Sequence, residues 1–213
     1  MQSDVGGSTP QTHPLMHPPH ARPAFHADAT CLAGAISAAT AAEVLAFVHD
    51  LPDEAWGKVR DSSHDRTRIT YGPHEFYGGL AGGNEIPPPL RRMGEEAIEA
   101  VRDHVPRAPW DGFSIDTLVL NKYAATKGVG AHHDPKVWKP LVVGVTLSDD
   151  PLGRPSIMTF SNKKERRLVM PTRHRSVYVF HDLAYTDAKH QRNDCPRAQQ
   201  GNVYSFTYRS FAQ

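Results

Sequence analysis

His132 and Asp134 stand two positions apart in the run Gly130-Ala131-His132-His133-Asp134. On an extended strand, side chains at i and i+2 point to the same face. A neutral imidazole nitrogen and a carboxylate oxygen then converge on one point. With one further histidine they make the facial triad of non-haem Fe(II), which leaves three coordination positions for reactants. The downstream candidates for that histidine are His174, His181 and His190. His181 directly follows the apolar run 177–180, where a loop should begin. Strand alternation alone does not choose among the three. An Asn121-x-Tyr123 strand precedes the pair, and Ser205-Phe206-Thr207-Tyr208-Arg209 closes the chain on a final strand. An arginine at that position is well placed to pair bidentately with a carboxylate ligand.

These residues need elements to hold them. Thr40-Ala41-Ala42-Glu43 reads as a capping box, so the structured part is expected to start near Thr40. Val44, Phe47, Val48 and Leu51 follow at i, i+3, i+4 and i+7, the spacing of one helix face. Pro52 ends that helix. A second helix follows Pro87-Pro88-Pro89, with Leu90, Met93, Ala97, Ile98, Val101 and Val105 on one face. Between the helices, Arg68-Ile69-Thr70-Tyr71-Gly72 and Phe76-Tyr77-Gly78-Gly79 read as short strands and loops. After residue 113 the pattern turns to period two or to short apolar runs. Strands are expected over 115–123, 141–148, 156–160, 168–170, 176–180 and 202–209. Helices first and strands afterwards predict an α+β chain, a barrel or sandwich with helices buttressing one side.

The 213 residues suit one domain with a tail. Residues 1–30 hold five prolines and four histidines with no hydrophobic periodicity. They are expected to be a disordered tail ahead of a domain over 31–213. A formal net charge of +1 excludes a bulk polycation that binds nucleic acid by net charge alone. Two cysteines, Cys31 and Cys195, exclude a disulfide framework and a Cys-rich zinc site. No apolar run approaches the ~18 residues of a membrane span, and no signal peptide is expected. The expectation is a monomer in the cytoplasm or nucleus.

The ordered set Asn121-x-Tyr123, His132-x-Asp134, His190 and Ser205-Phe206-Thr207-Tyr208-Arg209 resembles the AlkB-type Fe(II)/2-oxoglutarate dioxygenases. The resemblance covers about residues 31–211 and is strongest at 118–134 and 201–211. It implies a double-stranded β-helix (jelly roll) with N-terminal helices packed on one side. It implies His132, Asp134 and His190 as iron ligands, because the family's distal histidine lies roughly 20 residues before its closing arginine, as His190 does before Arg209. It implies Asn121, Tyr123 and Arg209 as 2-oxoglutarate contacts, with Ser205 beside them, and dioxygen as the other cosubstrate. The implied reaction is oxidative demethylation of a modified RNA or DNA base, by hydroxylation and release of formaldehyde.

Two positions depart from the family. Its closing strand usually carries two arginines six residues apart; the second matches Arg209, and the first falls on Val203. In the family that first arginine anchors the distal carboxylate of 2-oxoglutarate, and valine cannot. Losing a charge-assisted pair of this kind costs about 1.5–3 kcal/mol. Tyr123, Ser205 or a basic residue from a neighbouring strand would have to compensate. The second departure is Lys136, where DNA-repair members tend to carry an acidic residue that reads the damaged base. It leaves RNA bases, protein side chains or small molecules as alternative substrates.

Tyr71, Phe76 and Tyr77 fall where the family keeps its nucleotide lid, and aromatic faces there would stack a flipped base. Arg66 and Arg68 flank that region and would reach phosphates. Lys163, Lys164, Arg166, Arg167, Arg173 and Arg175 form a basic stretch that would track a nucleic-acid backbone. Trp138 either covers the site or packs at a strand end. Beside a nucleic-acid demethylase stand two alternatives: a protein or small-molecule hydroxylase, and a non-catalytic metal-binding barrel. Val203 supports the last. The intact His-Asp-His set argues against it, since three convergent polar groups serve no structural need in an apolar barrel.

Overall fold

The computed structural model describes residues 27–58, 66–76, 79–81, 83–124, 128–162, 167–193 and 201–212. Most of the expected tail, Tyr77, and the part of the basic stretch at 163–166 lie outside the described residues.

Alternating apolar and polar residues dominate the second half of the chain, and they form eight consecutive strands. The N-terminal elements are β1 (Ala29–Leu32), α1 (Ala38–His49), β2 (Gly57–Lys58), β3 (Arg66–Tyr71), β4 (His74–Phe76), β5 (Gly79–Ala81) and α2 (Pro88–Arg102). The eight strands are β6 (Thr117–Tyr123), β7 (Val129–His132), β8 (Trp138–Ser148), β9 (Ser156–Ser161), β10 (Arg167–Thr172), β11 (Ser176–His181), β12 (Lys189–Arg192) and β13 (Val203–Phe211). A one-turn helix, α3 (Asp182–Thr186), joins β11 to β12. Apart from β4 and β5, which pair with each other, the strands divide between two antiparallel sheets. The larger has the order β1-β11-β8-β13-β6-β3-β2, and the smaller β10-β9-β12-β7. Within β6 to β13 each sheet takes four strands, and the chain crosses between sheets repeatedly. This is the expected double-stranded β-helix.

The helices cover the outer face of the large sheet. Alternation on β13 sends Tyr204, Phe206 and Tyr208 to that face, where they join Leu118, Leu120, Leu141, Val143 and Val145. Leu90, Met93, Ala97 and Val101 of α2, and Val44 and Val48 of α1, close the same core. Each such side chain, fully buried, contributes roughly 1.5–3 kcal/mol. The intervening residues Val203, Ser205, Thr207 and Arg209 face between the two sheets. A second cluster, with Val142, Met158, Phe160, Met170, Tyr178 and Phe180, fills that space from the other side.

The structure corrects three sequence expectations. Helix α1 begins before Thr40: Ser37 is its cap, with its hydroxyl accepting from the Thr40 amide at 3.1 Å. The Ser37 amide is satisfied by Glu96 of α2 (2.6 Å), while Glu43 pairs with Arg92. The capping partner thus comes from a neighbouring helix, which local spacing does not reveal. A strand, β1, also forms ahead of Thr40, and its Ala29 and Thr30 lie within the segment assigned to the tail. Four residues carry no periodic signal, and β1 exists because it pairs with the edge of β11. Finally, β8 begins at Trp138, although Pro140 argues against a strand there. The β8–β13 register is irregular between Arg209 and Phe211, which accommodates a residue without an N–H.

Gly94 sets the distance between α2 and the sheet. A Cβ there would lie 2.6 Å from Cε1 of Tyr208 and 2.8 Å from Cδ1 of Ile115. Tyr208 is fully buried and donates to the Leu90 carbonyl at 2.7 Å, so its ring has no room to yield. Gly94→Ala gains about 1 kcal/mol in helix propensity but overpacks at a cost of about 1–3 kcal/mol. The expected outcome is a net loss of stability, read as a lower urea midpoint with an unchanged slope.

Candidate metal centre and its cavity

Three short stretches bring the polar groups together. His132 is the last residue of β7, and it is paired directly with His190 on β12. Their rings are 4.4 Å apart, centroid to centroid. The register shifts before Arg192, which pairs with Val129. Such a bulge bends the strand and re-aims the side chains around it. Asp134 lies two residues past the end of β7, not on a strand. Its position is set by Arg209, whose Nη2 donates to Asp134 Oδ1 at 2.6 Å. The bond is single rather than the expected bidentate pair. Tyr185 of α3 fixes the next residue by donating to the Pro135 carbonyl at 2.8 Å.

One ligand-type atom from each of His132, Asp134 and His190 lies within 4.8 Å of the other two. Their chemistry is already arranged for a cation. His132 Nδ1 lies 2.8 Å from the Gly130 carbonyl. A carbonyl only accepts, so the proton sits on Nδ1 and the Nε2 lone pair is left for a metal. Burial lowers the His190 pKa to about 3, against the opposing pull of Asp134, so its ring is neutral at physiological pH. Phe180 and Phe160 supply the apolar surroundings, with ring centroids 4.8 and 6.0 Å from that of His190. Burial alone would raise the Asp134 carboxyl. The charge and hydrogen bond of Arg209 outweigh it and hold the pKa below the ordinary carboxylate value. Asp134 Oδ2 and His190 Nδ1 are buried with no protein hydrogen-bond partner among the described residues. An orphaned carboxylate oxygen in a dry site is costly, and a cation between the three side chains would satisfy it. Two imidazoles and one carboxylate fit Fe(II) better than a thiolate-seeking metal.

Beside this cluster opens a cavity of about 680 Å³ between the two sheets. Its floor is the inner face of β6 and β13: Asn121 and Tyr123 on one, Ser205, Thr207 and Arg209 on the other. Asn121, Ser205 and Thr146 form one row across three strands. Asn121 Oδ1 and Thr146 Oγ1 are both buried without a protein partner among the described residues. Tyr178 reaches this row because Gly144 has no side chain; a Cβ there would lie 2.0 Å from Tyr178 Cζ. The Tyr178 hydroxyl bonds Ser205 Oγ at 2.9 Å. Arg66, Arg68 and Thr70 of β3 line the cavity as well.

The structure therefore brings His132, Asp134, His190, Asn121, Tyr123, Ser205 and Arg209 to one cavity. Neither alternative histidine joins them. His181 precedes α3 with its Nδ1 3.0 Å from Asp182, and His174 accepts from the Ser148 amide. Among the expected substrate contacts, Arg68 and Trp138 line the cavity. Trp138 packs at a strand end, 4.5 Å from the Phe211 ring. Tyr71 is corrected: alternation on β3 turns it to the helix-side core. Phe76 is the last residue of β4, in the β4–β5 hairpin. Lys136 is exposed in the turn after Asp134. Sequence reasoning passed over Arg192, Tyr178 and Thr207. Two of these carried a signal, since Arg192 stands at i+2 from His190, and Thr207 lies between Ser205 and Arg209 in the same alternation.

Fold and cluster together define a double-stranded β-helix whose cavity is lined by a His-Asp-His cluster, its Asp134 and His190 buried and its His132 half-buried. The same fold is found in OsALKBH1, an AlkB homologue (TM-score 0.66, 12% identity, covering 86% of this chain and 98% of that one). It is also found in an oxidoreductase of the 2OG-Fe(II) oxygenase family from Burkholderia pseudomallei (TM-score 0.60, 15% identity, 85% and 83%). At the level of fold, these bear out the AlkB-type resemblance read from the motifs. No protein-family model matches the chain, and no curated protein matches it by sequence.

Arg209 balances the buried Asp134 charge. Removing one partner of a buried ion pair costs about 3–5 kcal/mol. Arg209→Met is expected to destabilise by that order in urea denaturation. Adding Asp134→Asn to it should recover part of the loss, because the uncompensated charge is then gone.

Proposed function

We propose that this chain is an Fe(II)- and 2-oxoglutarate-dependent dioxygenase of the AlkB type, acting on a methylated or otherwise alkylated nucleic-acid base. The observation that carries the reading is the convergence of His132, Asp134 and His190, the last two buried, beside a cavity floored by Asn121, Tyr123, Ser205, Thr207 and Arg209. The structural likeness to 2OG-Fe(II) oxygenases supports the same chemistry. His132, Asp134 and His190 would hold iron. Asn121, Tyr123, Ser205 and Arg209 would hold 2-oxoglutarate. Iron bound there would activate dioxygen and couple the oxidative decarboxylation of 2-oxoglutarate, to succinate and CO2, to oxidation of a substrate C–H bond.

The chain's own residues prepare the site. The Gly130 carbonyl holds the His132 tautomer. Burial keeps His190 unprotonated, and Arg209 keeps Asp134 ionised and aimed. Phe160 and Phe180 exclude water from the His190 side. Arg209 Nε, buried without a protein partner among the described residues, is available to a cosubstrate carboxylate. Arg68, exposed and lining the cavity, and Arg66 beside it favour a polyanionic substrate over a neutral one. A hydroxylated N-methyl group then loses formaldehyde without further help from the protein. Lys136 supports a second reading, a protein or small-molecule hydroxylase, because it is exposed just past the ligand aspartate.

Four measurements test the proposal. Anaerobic titration of the Fe(II)-loaded protein with 2-oxoglutarate should produce a saturable charge-transfer absorption. Metal bound without that band at high 2-oxoglutarate would favour the non-catalytic barrel instead. Mn(II) at 100 times its Kd should stabilise the wild type by about 2.7 kcal/mol, and His132→Ala should lose that stabilisation together with turnover. Formaldehyde release from methylated oligonucleotides, measured against methylated peptides, separates the two substrate classes. On the nucleic-acid reading, Arg68→Ala should weaken oligonucleotide binding and lower the salt-dependence slope by about 1.

A further inference from the structure

A 2-oxoglutarate enzyme must hold two carboxylates, and β13 leaves the second one without a partner. Val203 cannot pair with it. A buried carboxylate needs a cation or several donors.

We propose, resting on the reading of this chain as a 2-oxoglutarate enzyme, that Arg192 of β12 anchors the distal carboxylate, approaching from the sheet opposite β13. Three observations place it. Arg192 lies two positions past His190, lines the same cavity, and is 7% exposed. Its guanidinium carbon sits 4.4 Å from the Tyr123 ring centroid. Tyr123 is the direct cross-strand neighbour of Val203. The cation therefore hangs over the row in which the closing strand has none.

Donors surround it there. Tyr178 bonds Ser205, one alternation step from Val203 along β13. Tyr178 and Arg192 line the same cavity. Thr146 Oγ1, buried and without a protein partner among the described residues, completes the row beside Ser205. The metal-ligand cluster lies at the other end of β13, by Arg209, six residues from Val203. Arg192 itself stands two strand positions, about 7 Å, past His190, a separation that a five-carbon diacid held at the metal can bridge to the guanidinium over Tyr123. Arg66 is the rival cation, since it also pairs with the Tyr123 position, from β3. As a residue Arg66 is only half-buried, whereas Arg192, on the facing sheet, is 7% exposed.

The test compares 2-oxoglutarate with 2-oxopentanoate, which keeps the keto acid and chain length but lacks the distal carboxylate. Both are titrated anaerobically into Fe(II)-loaded protein and read by charge-transfer absorption. Wild type should prefer 2-oxoglutarate by about 10- to 100-fold. In Arg192→Met the preference should fall to within about threefold, with the 2-oxopentanoate affinity unchanged. Adding Val203→Arg should restore it. Arg192→Gln serves, with the same expectations, should the methionine variant not hold iron. A preference that survives both substitutions overturns the assignment. So does one that disappears in Arg66→Met instead, or an equal weakening of both ligands. Iron-loaded wild type that binds neither keto acid would sink the cosubstrate reading itself, and the role of Arg192 with it.

Discussion

The buried pair between Arg209 and Asp134 ties the chemistry of this protein to its topology. Asp134 sits past the end of its strand, so no backbone ladder aims it. The guanidinium of the last strand does. That contact joins residues 75 positions apart and sets the carboxylate against two imidazoles. Burying the two charges is expensive, and the short, well-aligned bond recovers only part of that cost. Such an arrangement is poorly explained by stability. It is well explained by a need to keep one oxygen of a carboxylate fixed, ionised and free.

The rest of the fold makes that contact possible by separating two environments across one sheet. Along β13, Tyr204, Phe206 and Tyr208 anchor the helices, while Ser205, Thr207 and Arg209 face the cavity. A single nine-residue strand carries both the packing and the polar floor. Small residues fix the spacings: Gly94 lets α2 approach Tyr208, and Gly144 lets Tyr178 cross the sheet to Ser205. Identity of only 12–15% to proteins of the same fold is consistent with this division. The outer face needs apolar residues of suitable volume, whereas only a handful of inner positions must supply particular atoms.

The proposed role of Arg192 moves one function-bearing position to another wall of the cavity. A carboxylate can be met from any wall that brings donors within reach, so the residue at 203 need not be the one that meets it. Arg192 and the Tyr178–Ser205 pair occupy walls that no single strand's pattern describes. Their proximity comes from the crossing of the chain between sheets.

By itself, the sequence determined the periodic elements and the pair at His132 and Asp134. Both are local: helical faces at i, i+3 and i+4, and strand faces at i and i+2, follow from backbone geometry alone. It also carried the order of motifs that resembles the AlkB-type enzymes. Strand alternation left His174, His181 and His190 open and only the resemblance pointed to His190; the tertiary structure put it beside His132, because cross-strand register pairs those two positions. The same holds for Ser37 capping α1 with Glu96 as its partner, for β1 forming against β11, and for Tyr71 turning to the core. Each depends on contacts between residues far apart in the chain, which no short window of sequence contains.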